Sequence, residues 1–143
     1  MFSKVKKIIK DSNLDCILIS DPVHLSWFSG FLGSTGILII TEKGCVLGVD
    51  FRYHEIAQEF KKDYLDVYCC SEKNLLKSTF RHLFGKDEKR IGYLSSRNTE
   101  KQKLLLDKNT NGKLVPIDEA VDFARSIKTE EELQGIEESA KLS

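Results

Sequence analysis

The sequence predicts an α/β fold, a mixed β-sheet flanked by helices, and two observations carry that expectation. Apolar runs of strand length alternate along the chain with segments whose apolar residues recur at helical spacing. Early in that series, Ile37 to Ile40 has no polar alternation, which suits a strand covered on both faces, and Glu42-Lys43-Gly44 supplies turn chemistry before a second run, Cys45 to Val49. A hairpin set among strand–helix alternations makes the sheet mixed.

In order, Phe2, Val5, Ile8 and Ile9 repeat at helical spacing with lysines between, so an amphipathic first helix ends near Asp11-Ser12-Asn13. Cys16 to Ile19 is the first strand. Asp21-Pro22 breaks the chain and opens an aromatic run through Trp27 to Phe31. Gly33 and Gly36 bracket Ser34 and Thr35, so the backbone can turn there at positive φ and approach another surface. After the hairpin, Asp50-Phe51-Arg52-Tyr53 hands a strand over to a helix, whose Tyr53, Ile56, Ala57 and Phe60 form one apolar stripe toward the sheet. Asp66 to Cys70 is a short strand, and Leu75, Leu76, Thr79, Phe80 and Leu83 mark another helix. Ile91 to Leu94 is a strand, and Asn98 caps a helix carrying Leu104 and Leu105, with lysines on its solvated side. Asp107 to Gly112 is a polar turn, Leu114 to Ile117 the last strand, and Asp118 caps a helix bearing Val121 and Ala124. At the tail, Thr129 and Glu132 fit a capping box that starts a new helix at Glu130, with Leu133, Ile136 and Ala140 as its apolar stripe.

A chain of 143 residues accommodates one domain of ordinary size. Lysine plus arginine equals aspartate plus glutamate at 22 each, so no net field draws the chain to nucleic acid or an anionic membrane, and neither is expected as a partner. The start, with lysines interrupting its apolar residues, reads as neither a secretion signal nor a membrane span, which makes the cytoplasm the expected compartment. Cys16, Cys45, Cys69 and Cys70 form no C-x-x-C pair and read as buried thiols, while His24, His54 and His82 lack the spacing of a helical metal site. No metal ligand set and no catalytic residue is assigned to the chain.

Two surfaces are candidates for contact with a substrate or a partner subunit. The first is the loop Phe31, Gly33, Ser34 and Thr35, where glycines permit close backbone approach and Phe31 supplies an aromatic tip. The loop's glycines equally suit a plain strand-connecting turn. The second is the corner of Asp50, Arg52 and Tyr53, where Arg52 can bind a carboxylate or pair across subunits. The alternative there is an Asp50 to Arg52 contact that merely shapes the corner, with Asp50 as N-cap. Trp27 and Phe28 read as core or interface residues.

Taken together, G-F-x-G-S-x-G at Gly30 to Gly36, the apolar strands that follow, and D-F-R-Y at Asp50 to Tyr53 resemble the amino-terminal domain of the creatinase, prolidase and aminopeptidase P family. Arg125, Lys128, Thr129, Glu132, Leu133, Ile136 and Ala140 are similar to that family's connection into its catalytic domain. Where the family commonly has N-x-x-Y-L-T-G-F, this chain has His24, Trp27, Phe28 and Ser29, so no role passes from the usual asparagine or tyrosine.

The resemblance implies a fold of ribonuclease H-like type over residues 1–127, with residues 128–143 beginning a linker helix into a catalytic domain that this sequence does not include. It implies an Xaa-Pro metallopeptidase, either an aminopeptidase or a dipeptidase, acting on proline-containing peptides. The parent protein would be a homodimer, and its catalytic domain would hold two divalent metal ions, manganese or cobalt. This portion would help dimerisation and shape the substrate cleft while being itself non-catalytic. The alternative is a non-enzymatic peptide- or protein-binding module of the same fold, similar to that of a eukaryotic histone chaperone. The balanced charge offers no acidic face for histones.

Overall fold

The computed structural model describes residues 2–31 and 35–126. The tail reading, from the Thr129 capping box to Ala140, lies outside them, as do Gly33 and Ser34. Among the described residues the strands are β1 (Cys16–Ile19), β2 (Ile37–Thr41), β3 (Gly44–Asp50), β4 (Leu65–Cys70), β5 (Lys89–Tyr93) and β6 (Gly112–Pro116). They form one sheet in the order β4-β3-β2-β1-β5-β6. β2 pairs antiparallel with both β1 and β3, while β3 with β4, β1 with β5 and β5 with β6 are parallel. The mixed sheet expected from the early hairpin is therefore present, and β2 is the strand that makes it mixed.

Side-chain alternation sorts the helices onto the two faces. On one face Ile17, Ile19, Leu38, Ile40, Leu47 and Val49 pack with α1 (Phe2–Asp11), α2 (Pro22–Ser29), α3 (His54–Gln58) and α6 (Asp118–Ser126). On the other, Cys16, Leu18, Ile37, Ile39 and Ile91 meet α4 (Leu75–Phe84) and α5 (Glu100–Asn109) through Phe80 and Leu106. Consecutive residues of β1 and β2 thus enter opposite cores, which is why neither run shows polar alternation. On the α4 side of β3, Gly48 leaves room for the buried Thr79.

The aromatic run after Asp21-Pro22, whose residue pattern marks no element, is a helix, α2. Asp21 accepts from the His24 backbone N–H at 3.1 Å, and Pro22 sits where a helix needs no donor. Its hydrophobic residues run almost all round, so the amphipathic pattern that marks a surface helix is missing. Gly30 closes it in the left-handed region at φ 82°, with its N–H on Ser26 O at 2.8 Å. Positive φ therefore falls at Gly30, whereas Gly36 has no such angle.

Other boundaries move for local reasons. Thr99, rather than Asn98, caps α5 through a capping box with Gln102, and Asn98 instead sends its side-chain N–H to Leu94 O at 2.6 Å. α5 runs on to Asn109, and Leu106 is its buried residue while Leu104 and Leu105 stay exposed. Asp118 is at the start of α6, but its carboxylate reaches away from that helix. It accepts from the backbone N–H and hydroxyl of both Ser95 and Ser96 at 2.6 to 3.0 Å, tying the segment after β5 to the segment after β6.

Partial burial pulls the Asp118 carboxyl upward, yet those four donors outweigh it and hold it well below the usual carboxylate range. A carboxyl depressed in the folded state contributes stability that is complete above the unfolded-state value near pH 4 and drains away as pH falls below it. Asp118→Ala is expected to cost about 1–2 kcal/mol at pH 7, toward the low end because solvent screens the site. The difference from the parent chain should shrink as urea midpoints are taken from pH 5 down to pH 2.5; a constant difference would remove the linkage.

Of the cysteines, Cys16, Cys45 and Cys70 are buried and Cys69 is exposed, correcting the expectation that all four are buried. Cys69 and Cys70 are neighbours in β4, so their side chains leave on opposite faces. Burial pushes the Cys16 and Cys45 thiols up to about 12, with Asp15 adding to the effect on Cys16. A disulfide reagent should therefore titrate one thiol quickly in the native protein and the other three only on unfolding. Rapid loss of two or more native thiols would contradict this.

Candidate functional site

Because β1 and β3 are parallel, their carboxyl ends lie at the same edge of the sheet, and the segments that follow them gather there. Asp50 ends β3, and a single 3₁₀ turn, Phe51–Tyr53, leads into α3. Asp50 Oδ1 accepts the Arg52 backbone N–H at 2.9 Å, capping the turn, while Arg52 Nη2 donates to Asp50 Oδ2 at 2.8 Å and Nε to Oδ1 at 3.2 Å. The guanidinium hydrogen bonds hold the Asp50 carboxyl below its ordinary value and raise Arg52 in turn. This pair stands in solvent, so it shapes the corner more than it stabilises the fold. It engages Nε and Nη2, and among the described residues the Nη1 donors of Arg52 have no hydrogen-bond partner.

The first candidate surface is built differently from the sequence expectation. Phe31 is fully buried and presents no aromatic tip. Its ring meets Tyr53 and Phe60 edge-on, each with ring centroids 6.0 Å apart and interplanar angles of 89° and 83°. The Phe31 backbone N–H donates to Ser29 Oγ at 3.2 Å, and that hydroxyl donates to Leu25 O at 2.6 Å. Phe31 therefore anchors the base of the loop into the core and joins it to the second surface through Tyr53. Gly33 and Ser34 are not among the described residues. Tyr53 is half-buried, with the Arg52 guanidinium 5.4 Å from its ring centroid.

Two exposed hydrophobic residues at this corner escaped the sequence reading. Phe51 is 79% and Ile56 53% exposed. The 3₁₀ turn changes the phase of the stripe, so that Tyr53, Ala57 and Phe60 face the core and Ile56 turns outward, against expectation. The available signal for Phe51 was that it falls off the i, i+3, i+4, i+7 series through Tyr53. Beside it, His54 Nδ1 is buried without a hydrogen-bond partner among the described residues.

A further cluster joins α2 to α6. The His24 ring is buried, with Nδ1 2.8 Å from Asp21 Oδ2 and Nε2 3.3 Å from Arg125 Nη1. A guanidinium only donates, so Nε2 accepts and Nδ1–H donates to the carboxylate, which defines one neutral tautomer. Arg125 also lies 5.5 Å from the centroid of the Trp27 ring. His24 and Trp27 thus share a partner in Arg125.

No three His, Cys, Asp or Glu side chains converge to hold a metal ion among the described residues, so these residues do not fit a two-metal hydrolytic centre. No described helix is long and apolar enough to cross a membrane.

The family model described as the creatinase/prolidase N-terminal domain matches residues 2–127. A curated relative, the "uncharacterized peptidase YqhT" of Bacillus subtilis (strain 168), is 26% identical over 141 residues, covering 98% of this chain and 39% of its own length. Among solved structures, the N-terminal domain of the cytoplasmic peptidase PepQ of Mycobacterium tuberculosis H37Rv is 27% identical with a TM-score of 0.72, over 86% of this chain and 96% of that one. An Xaa-Pro dipeptidase of Bacillus anthracis, 17% identical with a TM-score of 0.78, shares the fold over 93% of this chain and 37% of its own. The chain spans less than half the length of the curated relatives it matches. With the family model covering nearly all of it and the mixed sheet in place, the chain belongs to the creatinase/prolidase N-terminal domain family.

Proposed function

We propose that this chain is the amino-terminal portion of an Xaa-Pro metallopeptidase, an aminopeptidase P or an Xaa-Pro dipeptidase, in which it helps dimerisation and shapes the substrate cleft without supplying catalytic groups. The observation that carries this reading is its match, at 27% identity and over 96% of that chain, to a domain solved by itself as the N-terminal domain of a peptidase. The two divalent metal ions that such chemistry requires, manganese or cobalt, belong in this reading to a catalytic domain following residue 143. In the proposed homodimer the exposed Phe51 and the outward donors of Arg52 line the cleft. Phe51 supplies an apolar wall and Arg52 a site for a carboxylate of a short proline-containing peptide.

The test uses the gene product that contains this sequence and any residues following it. Arg52→Ala should raise KM for an Xaa-Pro peptide about tenfold, or loosen the dimer, while the protein still folds. Unchanged kinetics and assembly would reduce Arg52 to a corner-shaping residue. The 143-residue chain alone, with manganese added, should release no amino acid from such peptides; turnover by it would overturn the non-catalytic assignment, and a downstream frame lacking metal ligands would favour a peptide-binding module instead.

A further inference from the structure

The two ends of α6 are held by different chemistry. Its start is tied through Asp118 to Ser95 and Ser96. Its last turn is held through Arg125, whose Nη1 lies 3.3 Å from His24 Nε2 and whose guanidinium lies 5.5 Å from the Trp27 ring centroid. His24 is 3% exposed, and its other nitrogen, Nδ1, donates to Asp21 Oδ2 at 2.8 Å. Asp21 also caps α2, so a single ring connects the cap of one helix to the end of another.

We propose that this junction is a proton-sensitive latch, in which uptake of one proton by His24 releases Arg125, and with it the last turn of α6, while α2 keeps its cap. The two ring nitrogens respond differently to that proton. Nδ1 donates to Asp21 in the neutral ring and in the charged one, so that contact survives. Nε2 accepts from Arg125 only while it carries no proton. Once protonated, it turns an N–H and a positive charge toward a guanidinium that has no acceptor to offer and does not give up its own charge. Arg125 is exposed on its outer side and has water to enter.

Among the described residues two charged groups meet the ring, Asp21 and Arg125. The Asp21 carboxylate favours an imidazolium, whereas burial and Arg125 oppose it. Departure of Arg125 removes the opposing cation and admits water to Nε2, so proton uptake and release of the helix end are one event. Lys4 of α1, the next cation at this end of α6, donates to Ala124 O at 3.4 Å, and the sheet residues on this face, Ile17, Ile19, Leu38 and Ile40, are apolar. The matched family domain ends at residue 127, which makes α6 its last helix. The latch therefore sets how firmly that end of the domain is held.

Amide hydrogen exchange on the 143-residue chain at about pH 7.5 and about pH 5, corrected for intrinsic rates, tests this across the range in which imidazoles ordinarily change charge. Residues 123–126 should lose at least about tenfold of their protection at the lower pH, while the sheet strands keep theirs. Asp118 stays ionised at both, since its four donors hold it well below the usual carboxylate range. Trp27 is the only tryptophan, so its emission should shift over the same interval as Arg125 leaves the ring. His24→Gln offers an amide oxygen to Arg125 and an amide N–H to Asp21 but takes up no proton, and both changes should vanish in it. Equal protection at the two pH values overturns the proposal, as does a loss that persists in His24→Gln. Ring-nitrogen NMR of the unaltered protein decides even if that variant fails to fold. Nδ1 alone should carry a proton at the higher pH and both nitrogens at the lower, and a ring still singly protonated at the lower pH also overturns the latch. None of these outcomes bears on the peptidase reading, which is tested by turnover and metal.

Discussion

Phe31→Ala is expected to lower folding stability by about 3–5 kcal/mol, a value typical of aromatic truncation in a packed core. The side chain is fully buried among Leu25, Tyr53 and Phe60, so truncation forfeits its transfer free energy, two edge-on ring contacts and the packing of the space it fills. With domain stabilities of about 5–15 kcal/mol, that loss can leave much of the chain unfolded. Phe31→Leu, which keeps most of the volume, should cost about 1–2 kcal/mol and melt cooperatively. Chemical denaturation of the two variants checks the ranking. If alanine costs less than about 1 kcal/mol, Phe31 is a surface residue of the loop after all, and the contact role first read from the sequence returns.

Gly48→Ala should be nearly as damaging, at about 3 kcal/mol. A Cβ at this position would fall 2.1 Å from Thr79 Oγ1, 2.7 Å from its Cγ2 and 3.0 Å from its Cβ. Thr79 has little freedom to yield, being fully buried, branched at Cβ, and bonded through Oγ1 to Leu75 O at 2.7 Å. Alanine would ordinarily gain about 0.5–1 kcal/mol over glycine in an element interior, so the clash decides the sign. Thr79→Ala removes the two nearest atoms, and the double variant should recover about 1–2 kcal/mol relative to the sum of the single changes. Strict additivity in the urea midpoints would mean that α4 moves away from β3 instead of clashing.

The elements whose period is unambiguous were legible without coordinates. α1 carries Val5, Ile8 and Ile9 on one face, and β2 and β3 are joined by the turn read from Glu42-Lys43-Gly44, so local pattern and local chemistry agree. α2 was not legible, because a helix buried on most sides shows no amphipathic period. Nor was the exposure of Leu104, Leu105 and Ile56. Each lies on a helix that packs through a neighbouring residue, Leu106 or Ala57, and one residue of phase rotates a helical side chain by about 100°. In the candidate site, Asp50 and Arg52 could be paired from their spacing, but Phe31 read as a loop tip because nothing local distinguishes a glycine-flanked aromatic that enters the core from one that leaves it.

By itself the amino-acid order determined the mixed α/β class, the hairpin, the Asp50 to Tyr53 corner and the family, since each is written in contiguous residues or short spacings. Tertiary structure alone decided which face every helix covers, that Phe31 belongs to the core, and that Arg125 closes on His24, 101 positions earlier in the chain. Those outcomes depend on strand order and on the angle at which helices cross the sheet. They arise from contacts between residues far apart in the chain, whose energies no local window contains.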